Sequence, residues 1–150
     1  MIRVVVGEAD FDLGQEAGRL EAGGDTGAVV TFTGRVRDAG GTLERMRIEH
    51  YPGMTETALE AIAREACDRW SLTGATVIHR HGDLAPGDRI MMVATASRHR
   101  EAAFAAAAFL MDYLKSRAPF WKKEITAAGE GWVAAREDDE AALARWSPPG

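Results

Sequence analysis

The strongest chemical signal in this 150-residue chain is the placement of its lysines. Fifteen of its eighteen basic side chains are arginine, and the three lysines, Lys115, Lys122 and Lys123, lie within nine residues. Only lysine gives up its proton at moderate cost or acts as a compact amine donor or nucleophile, whereas arginine stays charged. A coding bias toward arginine accounts for the rarity of lysine but not for the clustering. Lys115 stands four residues after Met111 and eleven after Phe104, at the edge of a helical apolar stripe. Lys122 and Lys123 alternate on an extended segment, so one of them shares a side with Lys115, and the pattern leaves open which. A snorkelling lysine beside a polar strand face is the plain alternative.

A second group is Ser97-Arg98-His99-Arg100. A helix beginning there offers free backbone N–H groups and a partial positive charge, which suits phosphate. The same residues equally fit a solvated helix start. A third group is Gly34-Arg35-Val36-Arg37-Asp38, where Arg35 and Arg37 project to one side of an extended chain. Paired guanidiniums hold phosphate or carboxylate, each charge-assisted bond contributing roughly 1.5–3 kcal/mol. Neutralisation by Asp38 and Glu49 is the competing reading. His79-Arg80-His81 puts two imidazoles on one strand face, but no third residue has metal-ligand spacing, so no metal is expected. Cys67 is expected to be an inert helix residue, and Trp121 and Trp132 to be packing rather than stacking groups. No Walker loop, GxGxxG or GxSxG is present.

The elements that must carry these groups follow from periodicity. Ile2 to Val6 reads as a strand, and Phe11 to Leu20 as a short helix after Asp10. Gly27 to Val36 and Leu43 to Tyr51 read as strands joined across Asp38–Gly41 into a hairpin whose loop carries Arg35 and Arg37. Thr55 to Trp70 is an amphipathic helix. Strands are expected at Ala75–His81 and Arg89–Ala96. Ser97 is the expected N-cap of a helix from about Arg98 to Ser116, which Pro119 ends. Phe120–Thr126 and Trp132–Ala135 form a last hairpin around Gly129-Glu130-Gly131. Asp138–Trp146 reads as a terminal helix, and 147–150 as a loose tail. Strands and helices mix without a βαβ repeat, so the fold class is α+β, with mixed and antiparallel sheets and an antiparallel hairpin subdomain. Length fits one domain spanning 1–150.

Composition narrows the function. The chain is 46% hydrophobic and 27% charged, enough to bury a core. Its net charge of −5 argues against a general nucleic-acid binder. Residues 98–123 hold six basic and two acidic side chains, a local +4 that leaves −9 elsewhere and points to a small anionic ligand. One cysteine excludes an internal disulfide and Cys-rich metal sites. The apolar run at the N-terminus is too short for a signal peptide, and Ala102–Met111 is half of the ~20 residues a membrane span needs, so a cytoplasmic protein without a membrane partner is expected. Arg100 and Lys115 are fifteen residues apart on one helix, about 22 Å. One small anion cannot reach both in one subunit. Either a second copy supplies one of them, or there are two sites, or one group has no role.

The order of several segments resembles the large, catalytic subunit of molybdopterin synthase. They are Gly27-Ala28-Val29-Val30-Thr31-Phe32-Thr33-Gly34-Arg35-Val36-Arg37, Glu49-His50-Tyr51-Pro52-Gly53-Met54, His79-Arg80-His81-Gly82 with Gly87-Asp88, and Ser97-Arg98-His99-Arg100. Most distinctive are Asp112-Tyr113-Leu114-Lys115 and Ala118-Pro119-Phe120-Trp121-Lys122-Lys123-Glu124. The likeness runs from about residue 2 to Trp146. The resemblance implies an α/β hammerhead fold and a homodimer. It implies a heterotetramer with two small ubiquitin-like subunits whose C-terminal Gly-Gly carries a thiocarboxylate. The implied reaction is a sulfurtransferase step of molybdenum cofactor biosynthesis, converting cyclic pyranopterin monophosphate to the dithiolene of molybdopterin. By likeness, Arg37, Lys115 and Lys122 belong to one subunit's pocket, with His99 and Arg100 reaching in from the other. Arg35, Val36, Lys123, Glu124 and Arg136 are further substrate contacts. Lys115 is the expected acid–base group and Lys122 the stabilising charge. No cofactor is expected. A non-catalytic docking subunit for the same small partner is the alternative, and a phosphoester hydrolase lacks a nucleophile or metal set.

Overall fold

The computed structural model describes residues 1–133 and 137–146. Among these residues, eight strands form two four-stranded sheets. The first contains β1 (Ile2–Gly7), β4 (Gly74–Arg80), β6 (Arg89–Ser97) and β2 (Ala28–Arg35), in the order β1-β4-β6-β2. β1 runs parallel to β4, and the other pairs are antiparallel. The second contains β5 (Gly82–Leu84), β3 (Leu43–His50), β7 (Phe120–Thr126) and β8 (Gly129–Trp132), in the order β5-β3-β7-β8 and antiparallel throughout. This is the mixed α+β architecture expected from the sequence.

The central strands of the first sheet are covered on both faces, which is why they read as apolar runs rather than alternations. Val77, Met91 and Val93 face α2 (Met54–Trp70) and α3 (Arg100–Ser116), while Ile78, Met92, Ala94 and Ala96 face α1 (Leu13–Leu20). On α2 the buried positions are Thr55, Leu59, Ile62, Ala63 and Ala66, and on α3 they are Ala103, Ala106, Ala107, Phe109 and Leu110. These are the spacings of one helical face. Small side chains on α3 let its backbone approach the sheet. The terminal helix α4 (Glu137–Ala144) leads to Trp146, whose ring meets Trp70 and Phe109 edge-on and whose Nε1 donates to Asp112 at 2.5 Å. No helix among the described residues is long and apolar enough to cross a membrane.

Several boundaries differ from the sequence reading. β2 and β3 do not form a hairpin: β2 pairs with β6 and β3 with β5 and β7. The turn through Ala39–Gly41, with Gly40 and Gly41 at positive φ, carries the chain from one sheet to the other. The short strand β5 was not expected. The α1 cap is Asp12, which accepts from the Gln15 N–H at 2.8 Å, and Asp10 instead accepts from Phe11. α3 is capped by His99 in an extended conformation, without a side-chain bond. Ser97 is the last residue of β6, and its hydroxyl donates to the His99 carbonyl. The final hairpin turns at Ala127-Ala128, so Gly129–Gly131 lie within β8.

Candidate functional site

Lys115 is exposed in the last turn of α3, just before the connection that Pro119 interrupts. Thr55 fixes that connection: it is fully buried, its Oγ accepts from the Tyr51 N–H at 3.0 Å, and it lies 3.4 Å from the Pro119 carbonyl. β7 begins at once, and its register separates the two lysines that the sequence left undecided. Lys122 is opposite Ile48 and Phe120 is opposite His50, so Lys122 shares the face of the sheet that holds the buried Ile48. Lys123 is on the other face, opposite Arg47 and Trp132. Its ammonium lies 3.2 Å from Glu130 and 4.7 Å from the centre of the Trp132 ring.

At the base of this region sits His79, only 4% exposed. Its ring stacks on Phe120 at 3.6 Å and 15°, and its Nδ1 lies 2.7 Å from the Arg80 carbonyl. Burial drives its pKa down to about 3, partly opposed by that hydrogen bond. The charges of Lys122, Lys115 and His81 push in the same direction as burial. Beside it, His81 has left the strand and its ring faces His50 at 4.1 Å. Burial and the neighbouring His50 hold His81 below the ordinary imidazole value. His50 Nδ1 is buried without a hydrogen-bond partner among the described residues. No group of three or more metal-ligating side chains occurs among the described residues.

The sequence reading took His79 and His81 only as weak metal candidates and missed the His79–Phe120 pair. A histidine closing the apolar run Ala75–Ile78 was the available signal, but its ring partner lies forty-one residues away.

The other candidate residues fall in three places. Arg35, Val36 and Arg37 form an arm held by backbone: the Val36 N–H donates to Asp88 at 2.8 Å, and the Gly87 N–H donates to Val36 at 2.8 Å. Val36 is a core residue at 2% exposure, so Arg35 and Arg37, both exposed, share the opposite side as expected. Arg35 also donates through Nε to the Gly87 carbonyl at 3.2 Å. Glu124 is half-buried on the Lys122 face, opposite Met46. His99 and Arg100 are exposed at the start of α3, and the helix runs unbroken from Arg100 to Ser116. Arg100 and Lys115 are thus at opposite ends of one rod, about 22 Å apart. Arg136 lies outside the described residues. Cys67 is half-buried on α2, with burial pushing its thiol pKa up, so little of it is thiolate near neutrality.

Residues 6–117 match the family described as MoaE protein. This chain belongs to the MoaE family. As a MoaE member it is 64% identical over 146 residues to a protein of Cereibacter sphaeroides named molybdopterin synthase catalytic subunit, across 97% of this chain and 100% of that one. Its fold matches a solved structure titled molybdopterin biosynthesis MoaE protein from Burkholderia ambifaria, with a TM-score of 0.84, 52% identity, and coverage of 97% and 98% of the two chains. It also matches a structure titled molybdopterin synthase from Staphylococcus aureus, with a TM-score of 0.79, 31% identity, and coverage of 88% and 96%. The MoaE fold is therefore present over nearly the full chain.

Proposed function

We propose that this chain is the catalytic subunit of a molybdopterin synthase. It acts as a cytoplasmic sulfurtransferase that moves sulfur from the thiocarboxylated Gly-Gly terminus of a small ubiquitin-like subunit onto cyclic pyranopterin monophosphate. The observation that carries this is a MoaE-family chain, 64% identical along nearly its whole length to a protein named molybdopterin synthase catalytic subunit, with Lys115 and Lys122 on the two elements joined at Pro119. Oxygen must leave carbon as sulfur arrives, and a lysine ammonium supplies the proton. Lys115, exposed at the end of α3, serves as that acid, and Lys122 offers fixed positive charge to the developing anion. Lys123, turned to Glu130 and Trp132 on the other face, is assigned as a rim contact, and Glu124 as a contact on the Lys122 face.

The substrate phosphate is met by Arg37 and Arg35 from one subunit and by His99 and Arg100 from a second copy. Val36 shapes the arm from within the core, and Arg136 is assigned as a further contact. The 22 Å span of α3 supports the two-copy arrangement, because one small ligand cannot bridge it. The working assembly is a homodimer of this chain flanked by two small subunits. Sulfur arrives on the partner's terminus, so the reaction needs no thiol from Cys67. The test is reconstitution. Purified protein, thiocarboxylated small subunit and the pterin monophosphate should together yield a dithiolene product. A complex that forms but yields none would reduce the chain to a docking subunit.

A further inference from the structure

His79 is an expensive residue to bury where it stands. The other buried residues of β4 and β6 are glycine, alanine, threonine, aliphatic side chains, methionine and Ser97, and an imidazole buried among them gives up water. One ring nitrogen is satisfied: Nδ1 faces the Arg80 carbonyl at 2.7 Å. A carbonyl only accepts, so Nδ1 carries the proton and Nε2 a lone pair. The ring lies flat on Phe120, two residues before Lys122 on the same face of β7 and next to the Pro119 connection that leads back to Lys115. The charged and titratable groups that act on it are Lys122 from β7, Lys115 from α3, and His81 beyond β4. A protonated ring would repel both ammonium groups. A phenyl ring would keep the stack but lose the bond to the Arg80 carbonyl.

We propose that His79 is the positioning residue of the lysine pair, a neutral imidazole clamped between Phe120 and the Arg80 carbonyl that fixes the start of β7 and with it how Lys122 and, across the Pro119 connection, Lys115 are held. The proposal rests on the reading of those lysines as the acid and electrostatic groups. Burial and all three neighbours keep the ring uncharged under working conditions, so it adds polarity without a third positive charge.

Two experiments test it. Histidine-selective 15N NMR on the native protein should show His79 as the neutral Nδ1–H tautomer across the neutral range. A ring in the other tautomer, or one that takes up a proton within the neutral range, overturns the proposal. In the complex with thiocarboxylated small subunit, His79→Phe should retain fold and KM. It should lower kcat by about ten-fold or more, since ~1 Å of misplacement at a reacting group costs up to ~100-fold. It should also shift the pH–rate profile. Amine-reactive labelling of Lys115 and Lys122 should change in rate, while that of Lys123 does not. His79→Gln, which keeps an uncharged polar group, should recover much of the rate.

Native kcat, pH profile and labelling in His79→Phe would overturn the proposal. If His79→Phe does not fold, the NMR titration and His79→Gln decide. If the native protein makes no dithiolene at all, the functional reading fails, while NMR and labelling still judge His79.

Discussion

Lys115 and Lys122 are adjacent in chemistry but differ in setting, one exposed at a helix end and the other half-buried on a strand. Lys115→Ala should abolish dithiolene formation while circular dichroism and small-subunit binding stay native; near-normal turnover would refute its role as acid. Cys67→Ser should leave turnover unchanged, because a half-buried thiol with a raised pKa is a poor nucleophile and the sulfur comes from the partner. His79 makes a stability prediction of its own. Its pKa is depressed in the fold, so the unfolded chain binds a proton that the native chain refuses. The stabilising effect is complete above the unfolded value of about 6.5 and is lost as pH falls toward 3. Unfolding free energy should therefore drop by about 1.4 kcal/mol per pH unit more steeply in the native protein than in His79→Phe between pH ~6 and ~4.5. Equal slopes in denaturant titrations would contradict the burial of a neutral ring. The lysine cluster was legible in the sequence because composition alone exposes it. The choice between Lys122 and Lys123 was not, because alternation separates two faces without saying which one meets the core.

At the level of elements, hydrophobic patterning located the helices and six of the strands, put β8 three residues late, and gave no strand partners. Asp38-Ala39-Gly40-Gly41 looked like a hairpin turn because glycines at positive φ suit one, yet the chain uses them to cross between sheets. Pairing of β2 with β6 is a contact across some sixty residues, invisible to local pattern. The start of α3 was misplaced by two residues for a similar reason. Ser97 has cap chemistry, but its backbone is claimed by the ladder with Ala28, and the extended His99 takes the cap position. What holds that junction is Gly27, whose N–H donates to the Ser97 carbonyl at 2.9 Å. A Cβ on Gly27 would stand 2.2 Å from the Arg98 carbonyl. Gly27→Ala should therefore displace the His99–Arg100 end of α3, costing about 1–3 kcal/mol in chemical denaturation and lowering turnover. Native stability in that variant would show the junction to be loose.

Across the whole molecule, the two sheets and α3 distribute the basic groups to opposite ends of one helix. The lysine pair sits where α3 meets the second sheet, while His99 and Arg100 stand where it leaves the first. In the proposed function, sulfur transfer happens at a site shared by two copies of the chain. Arg100→Ala and Lys115→Ala should each be inactive alone. In verified mixed dimers loaded with thiocarboxylated small subunit, one of the two pockets regains both groups. Dithiolene formation should then return to as much as half the native level. Mixed dimers that stay inactive would contradict the shared site and leave Arg100 acting within its own subunit or elsewhere.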